Sequence, residues 1–475
     1  ITGYIDDSFL YGSDFERTRW IRAYVDGKFR TSAGNLLPYN TIDGEYESPV
    51  DPNAPHMDRA IVPPDGKWFV AGESRANEQP ILAAMHTLFV REHNRICDEY
   101  KIKHPEWVDE QLFQHARRMV IAYFSNIVYH EWLPILGVHL PAYTGYKPDV
   151  NPQVTNMFTA AAFRFGHTMV NPVIERIGAD CEIHEKGHLN FKDVFFAPAL
   201  IREVDGIEPF MIGCVNKPQQ QSDAQVVSDL RNFLFGPPGA GGMDLVALNI
   251  MRGRERGIMD YNSTREYYGL PRMTSFGKVS DNFETNLKLC EAYQCDINNV
   301  DVFTGILAEK HLPGSIFGEL MNAVLLKQFT ALRDGDRFYF ENDPAFTQEE
   351  IDIIRSTKMG HIVLRNTDIE CIPTEDVFFY TPITSDEEVL VQHGQLNVFP
   401  NPSYGVSQVS VNYPYAENAS LKVFNTLGQM VENLAVSLYE GDNNVRLDLQ
   451  NLPDGFYTVI LEGSELTNSV KILKQ

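Results

Sequence analysis

The periodicity of the apolar residues changes near residue 385, and this change constrains the fold more than any other feature of the 475-residue chain. Before it, apolar residues recur at helical spacing. From Gln395 onward, short segments alternate apolar and polar residues and are separated by turn residues. We therefore predict a mainly α-helical domain over residues 1–384, a polar, acidic linker over 385–394 and a small all-β sandwich over 395–475.

The same periodicity predicts individual elements. Three long helices are predicted over Pro80–Lys101, Val108–Leu136 and residues 155–175, and shorter ones over 222–235, 243–254, 281–293, 315–333 and 347–357. In the second domain, alternation predicts strands at Val406–Asn412, Ser420–Phe424, Gly441–Leu449 and Gly455–Glu462.

Composition limits the classes of partner and location. The net charge of −24 argues against a nucleic-acid partner. No run approaches the roughly 18 apolar residues of a membrane span, so we expect none. The first residues, Ile1-Thr2-Gly3-Tyr4, lack a signal-peptide pattern and look like the interior of a domain, so we expect a chain truncated at its N-terminus. The six cysteines show no CxxC metal spacing, and Cys290 and Cys295 either pair or remain buried thiols.

A candidate cofactor ligand lies in the segment Ala161-Ala-Phe-Arg-Phe-Gly-His167. The histidine ends an apolar run and directly follows Gly166. A neutral imidazole in an apolar wall suits the proximal ligand of a haem iron, and the glycine would let a flat macrocycle approach the backbone. A packed core histidine is the alternative interpretation.

Two further segments are compatible with the same chemistry. In the loop before the first long helix, Arg75 is a candidate to stabilise charge on a departing peroxide oxygen, and Glu78 is a candidate to bond a haem substituent. In the helix over residues 243–254, Asn249 is a candidate to accept the imidazole N–H, and Arg252 is a candidate to meet a haem propionate. Each segment has an alternative interpretation. Arg75 would be a solvated arginine, Glu78 would favour the helix dipole, and the segment of Asn249 and Arg252 would be a helix end with a basic cluster.

The first residues of the chain also contain a possible cation loop. Thr2, Tyr4, Asp6 and Ser8 alternate, so three side chains and the Tyr4 carbonyl would offer oxygen atoms to one hard cation such as calcium. One carboxylate is too few for tight binding, so a further acidic ligand must come from elsewhere.

In their order along residues 1–380, these segments resemble the animal-type haem peroxidases. The matching stretches are Tyr4–Ser13, Ala71–Glu78, Arg91–Arg95, Phe163–His167, Leu248–Arg252 and Leu332–Phe338. The resemblance implies haem b as cofactor and calcium as a bound ion. It assigns roles as follows: proximal iron ligand His167, its hydrogen-bond partner Asn249, distal catalytic arginine Arg75, ester-forming Glu78, and calcium loop Thr2, Tyr4, Asp6 and Ser8. Arg164 and Arg252, which lie in the matching stretches, are further cofactor-binding candidates.

One part of the family pattern is missing from the sequence. The distal histidine of the family stands in a His-Asp pair whose aspartate completes the calcium site. None of the 13 histidines here is followed by aspartate, and the matching region would precede Ile1. We therefore expect that the chain as given lacks the base that moves the peroxide proton, and that it is a fragment or is inactive.

The second domain has a resemblance of its own. Leu396–Pro402, Leu421–Gln429, Leu452–Tyr457 and Val470–Lys474 are similar to the sorting domain of the bacterial type IX secretion system. This implies the type IX machinery as a partner, export across the outer membrane of a Gram-negative bacterium and an extracellular or cell-surface location. An adhesive β-sandwich is the alternative.

Together these features predict a secreted haem peroxidase that uses hydrogen peroxide to oxidise a halide, thiocyanate or a phenol. A non-catalytic surface or adhesion protein on a peroxidase scaffold is one alternative, and a fatty-acid dioxygenase is another. The cyclooxygenase branch of the family places a radical tyrosine three residues before the proximal histidine. Arg164 occupies that position here, which argues against a dioxygenase.

Overall fold

The computed structural model describes residues 2–59, 65–204, 206–236, 241–372, 377–379, 396–403, 405–413, 416–425, 429–439, 441–463 and 467–474. Its backbone contacts divide the chain into two compact units, Ile1–Thr384 and Ser385–Gln475. The predicted linker over 385–394 lies outside the described residues, so its extent remains a prediction.

The first unit is mainly α-helical, as predicted. Its helices are α1 (Ser8–Tyr11), α2 (Phe15–Ile21), α3 (Pro80–Lys103), α4 (Asp109–Asn126), α5 (Leu133–Ile135), α6 (Asn156–Ala160), α7 (Ala199–Arg202), α8 (Glu208–Asn216), α9 (Ser228–Asn232), α10 (Leu245–Glu255), α11 (Tyr261–Tyr267), α12 (Phe283–Ala292), α13 (Val302–Ala308), α14 (Glu319–Asp334), α15 (Gln348–Ser356) and α16 (Met359–Asn366). A π-helical turn, Ile127–Trp132, joins α4 to α5, and a 3-10 turn, Ala162–Thr168, follows α6. Strands β1 (Val173–Ile174) and β2 (Leu189–Asn190) form a small antiparallel ribbon.

Two predicted helices are wrong in extent. The predicted helix over 155–175 ends at Ala160, and the chain continues as the 3-10 turn and then as β1. Phe163 has non-helical dihedral angles, and Pro172 disfavours a helical conformation at Asn171. The predicted helix over 222–235 shrinks to α9. The helix predicted over Val108–Leu136 is present, but the π-helical turn interrupts it.

A single apolar core fills the helical unit. Leu88 of α3, Phe210 of α8 and Leu325 of α14 are each fully buried within it, and burial of such side chains stabilises a fold by about 1.5–3 kcal/mol each. Two disulfides lie in this unit. Cys290 and Cys295 are paired, which was one of the two alternatives offered above, and Cys181 is paired with Cys371, which the cysteine spacing did not indicate. Among the described residues, no helix has both the length and the apolar content needed to cross a bilayer.

The second unit is a two-sheet β-structure, as predicted. Its strands are β3 (Asn397–Phe399), β4 (Val406–Tyr413), β5 (Glu417–Asn425), β6 (Met430–Leu438), β7 (Gly441–Asp448), β8 (Gly455–Glu462) and β9 (Thr467–Lys474). They form antiparallel sheets in the orders β3-β4-β7 and β6-β5-β8-β9, and side chains from both sheets, such as Val409 and Leu421, share one core. The sequence analysis missed β3, β6 and β9, which all lie at sheet edges, whereas it predicted β7, the fourth edge strand.

Candidate functional site

Five candidate residues line one cavity of about 730 Å³ in the helical unit, namely Arg75, Glu78, Arg164, His167 and Arg252. They come from three segments far apart in the sequence: the loop before α3, the 3-10 turn after α6, and α10. The remaining candidate, Asn249 of α10, is fully buried beside them. The fold therefore brings all the predicted cofactor residues together.

His167, Asn249 and Arg164 form a hydrogen-bonded row at the cavity wall. Nδ2 of Asn249 lies 2.8 Å from Nδ1 of His167, and Nη1 of Arg164 donates to Oδ1 of Asn249 at 2.5 Å. Because a guanidinium carries only donors, the amide oxygen must face Arg164 and the amide N–H must face the imidazole. The expected contact between Asn249 and His167 is present, but its direction is the reverse of the expected one, since Asn249 donates to the ring.

The electrostatics of this row keep the histidine neutral. Burial and, to a lesser extent, the charge of Arg164 together lower the pKa of His167 to about 4. The pKa of Arg164 is itself lowered, first by burial and then by the charges of Arg252 and Arg256. The site thus combines an unprotonated imidazole with a concentration of positive charge, in a chain that is strongly acidic as a whole.

Arg75 is held by a carboxylate that the sequence analysis missed. Its Nε and Nη2 donate to the two carboxylate oxygens of Glu73 at 2.8 and 3.2 Å, a bidentate arrangement that fixes the plane of the guanidinium. The sequence offered one indication of this pair, a glutamate two residues before the arginine. Glu78 follows one turn later, with its backbone N–H donating to the Arg75 carbonyl at 2.8 Å. Burial raises the pKa of the Glu78 carboxyl, while Arg75 lowers it.

This donor set fits a haem group. The imidazole of His167 is neutral, as an iron ligand must be, and Arg164 has no carboxylate partner among the described residues, which leaves its charge for an anionic substituent. A Cβ added at Gly166 would meet no atom within 4 Å, so the backbone there borders open space. Apolar side chains, including Val170, Phe195 and Leu248, complete the lining.

The possible calcium loop lies away from this cavity. Oδ1 of Asp6 accepts hydrogen bonds from Oγ1 of Thr2 at 2.8 Å and from the backbone N–H of Ser8 at 3.1 Å, and the Thr2 N–H donates to Oγ of Ser8 at 3.0 Å. The fold thus gathers Thr2 and Ser8 around the Asp6 carboxylate, and the backbone N–H of Tyr4 donates to Oγ1 of Thr2 at 3.3 Å. No group of three or more histidine, cysteine or acidic residues suited to a metal was found in the part of the chain that the structure describes.

Both units of the chain match known protein families. Residues 1–378 match the family model described as animal haem peroxidase, and residues 397–475 match that described as secretion system C-terminal sorting domain. Similar relatives are peroxinectin A of Dictyostelium discoideum, 36% identical over 71% of this chain, and thyroid peroxidase of Rattus norvegicus, 35% identical over 79%. The chain spans 61% and 42% of the lengths of these two relatives.

Solved structures of other proteins have a similar fold. Peroxidase A from Dictyostelium discoideum superposes with a TM-score of 0.70 and 33% identity, over 78% of this chain and 70% of that one. A fatty acid alpha-dioxygenase from Oryza sativa has a TM-score of 0.65 at 19% identity, over 81% and 67% of the two chains, so this likeness concerns the fold alone. The chain therefore belongs to the animal haem peroxidase family and carries a secretion system sorting domain at its C-terminal end.

Proposed function

We propose that this chain is the haem-binding part of an exported peroxidase that uses hydrogen peroxide to oxidise a small reductant, such as a halide, thiocyanate or a phenol. The observation that supports it is the row of His167, Asn249 and Arg164 in the cavity that Arg75 also lines. The sorting domain supports passage through the type IX machinery to the cell surface or beyond it. The haem, when bound, supplies the redox chemistry with peroxide.

Each cavity residue has a role in this proposal. His167 would hold the iron through Nε2, so its hydrogen must sit on Nδ1. The amide of Asn249 would then present Oδ1 to that hydrogen, which frees Arg164 to join Arg252 at the haem carboxylates. Glu78 lines the cavity where an ester to the haem can form.

Arg75, which lines the same cavity, is proposed to stabilise negative charge on the departing peroxide oxygen. Its bidentate pair with Glu73 holds the guanidinium in one orientation without consuming Nη1. His167 is the only histidine among the described cavity residues, so we propose that a base from outside them moves the peroxide proton. We also propose that Thr2, Tyr4, Asp6 and Ser8 hold calcium, together with a further carboxylate.

Reconstitution with haem tests this proposal. The loaded chain is expected to consume hydrogen peroxide while oxidising iodide, thiocyanate or guaiacol. A 2-substituted imidazole, which ligates iron more weakly than imidazole does, is added as a base that can move the peroxide proton. Arg75→Gln should lower the rate by about 10²–10³-fold, the typical loss for one charge-stabilising donor, while retaining haem. The exposed Arg446 offers a matched control, Arg446→Gln, which should behave as wild type. Peroxide consumption that is equal in all three proteins would rule out the role of Arg75, and a chain that takes up no haem would rule out the proposal.

A further inference from the structure

A series of aromatic rings leads away from the segment that carries His167. Phe165, two residues before the histidine, lies 6.4 Å from Trp132 between ring centroids, at an interplanar angle of 26°. Trp132 lies 6.4 Å from Phe329, and Phe329 lies 6.4 Å from Tyr129. These separations are those of aromatic rings in contact.

The series continues to a buried tyrosine that is paired with a histidine. Tyr129 lies 5.7 Å from Tyr339, and Tyr339 lies 4.8 Å from the half-buried Tyr143. The hydroxyl of Tyr339 lies 3.0 Å from Nε2 of His130, whose side chain is exposed. The rings therefore connect the segment that carries His167 to the surface of the helical unit.

Three of these residues lie on one unusual turn. Tyr129, His130 and Trp132 all belong to the π-helical turn Ile127–Trp132. A π-turn places an extra residue into the helix and is frequent at functional sites. Here it allows Trp132 to reach Phe165 while Tyr129 and His130 both reach Tyr339.

Tyr339 is the member of the series best suited to lose an electron. A phenol is oxidised far more easily when its proton has an acceptor, because the alternative is a strongly acidic phenol cation. Burial raises the pKa of Tyr339. Although His130 reaches the surface, its ring is partly desolvated by the surrounding protein, which lowers its pKa, so the phenol is protonated and the imidazole is unprotonated near neutral pH. Nε2 of His130 is then the acceptor for the phenolic proton.

We propose that Tyr339 and His130 form a second oxidation site, at which phenolic reductants too large for the cavity are oxidised by one electron. The inference rests on the proposed peroxidase function, because hydrogen peroxide is the oxidant. Trp132 and Tyr129 carry the electron, and large phenols dock at the exposed part of Tyr143.

Tyr339 loses one electron through Tyr129 and Trp132 to the cofactor that peroxide has oxidised, and its phenolic proton moves to Nε2 of His130. The docked phenol then passes one electron through Tyr143 to the Tyr339 radical, while His130 returns the proton to the Tyr339 oxygen. The phenol releases its own proton to solvent and leaves as a phenoxyl radical. Peroxide takes up two electrons and two protons to give two waters, so the step occurs twice per peroxide.

One experiment tests the series without any cofactor. Azide radicals generated by pulse radiolysis oxidise tryptophan first, and the indolyl and phenoxyl absorption bands then follow the intramolecular transfer to tyrosine. Trp132→Phe and Tyr339→Phe should each lower the amplitude of the tryptophan-to-tyrosine transfer by the same amount. The double variant should lower it no further. Tyr267→Phe, at an exposed tyrosine outside the series, is the control and should match wild type. Transfer that is unchanged in both Trp132→Phe and Tyr339→Phe would overturn the proposal.

A second experiment uses the haem-loaded chain, grown with ring-deuterated tyrosine. Mixing with peroxide should give a tyrosyl radical in electron paramagnetic resonance that Tyr339→Phe lacks. His130→Gln, which accepts a hydrogen bond but cannot take the proton, should form the radical at least tenfold more slowly. Oxidation of a bulky phenol should fall in parallel. If the chain oxidises iodide but wild type and Tyr339→Phe give equal radical signals, the second site is wrong and the peroxidase proposal stands. If no peroxide is consumed, the peroxidase proposal itself is wrong.

Discussion

The amide of Asn249 forms one hydrogen bond with the guanidinium of Arg164 and another with the imidazole of His167. The direction of the second bond determines which tautomer of His167 the site favours. With Oδ1 facing Arg164, the N–H faces Nδ1 of the ring, whereas iron ligation through Nε2 requires a hydrogen on Nδ1. The sequence named the two residues as partners through the resemblance to the haem peroxidases, and not through periodicity. It could not predict the direction of the bond, because Arg164 competes for the same oxygen only in three dimensions.

Asn249→Asp follows as a test at this scale. A carboxylate accepts from Arg164 and from Nδ1–H at once, so it favours the ligating tautomer, and we expect the variant to bind haem more tightly than wild type. Asn249→Leu, of similar size and with no polar atom, should bind about 10–100-fold more weakly, the usual loss when such a partner is removed. Spectroscopic haem titration measures both constants. Tighter binding by the leucine variant would contradict this account of the row.

At the scale of elements, a buried carboxylate joins α3 to α16. Glu92 is fully buried on α3, and its Oε2 accepts from Nε of Arg95 at 3.0 Å, from Nε of Arg365 at 2.9 Å and from Nδ2 of Asn366 at 2.7 Å. The sequence predicted the helix but not this contact. Helical periodicity shows which face is buried, and a glutamate on that face gives no indication of the distant arginine that neutralises it.

Glu92→Gln should therefore destabilise the helical unit. Removal of one partner from a buried ion pair costs about 3–5 kcal/mol, and the partial exposure of the two arginines places the expected loss near the lower end. Urea unfolding followed by far-UV circular dichroism measures the change. Glu284→Gln, in the exposed pair with Lys288, is the matched control and should have little effect. If both variants lose the same free energy of unfolding, the buried ion pairs of Glu92 contribute no more to stability than an exposed pair.

At the scale of the whole molecule, the change of periodicity near residue 385 predicted both fold classes, because each period belongs to a different way of burying an apolar face. Long amphipathic elements such as α3 were predicted closely. Short helices without a sustained period, such as α11 and α13, were not, and neither were three of the four strands at sheet edges of the second unit, β3, β6 and β9. The cavity was predicted only as a set of residues, since its assembly depends on contacts between segments far apart in the chain.

The central claim is that this assembly holds haem through His167. Resonance Raman spectroscopy of the haem-loaded, reduced chain measures it most directly, through the iron–nitrogen stretching band of a proximal imidazole. Wild type should show the band, His167→Gly should lack it, and imidazole added to the variant should restore both the band and the reaction with peroxide. An iron–nitrogen band that persists unchanged in His167→Gly, without added imidazole, would contradict the assignment of the ligand and the account built on it.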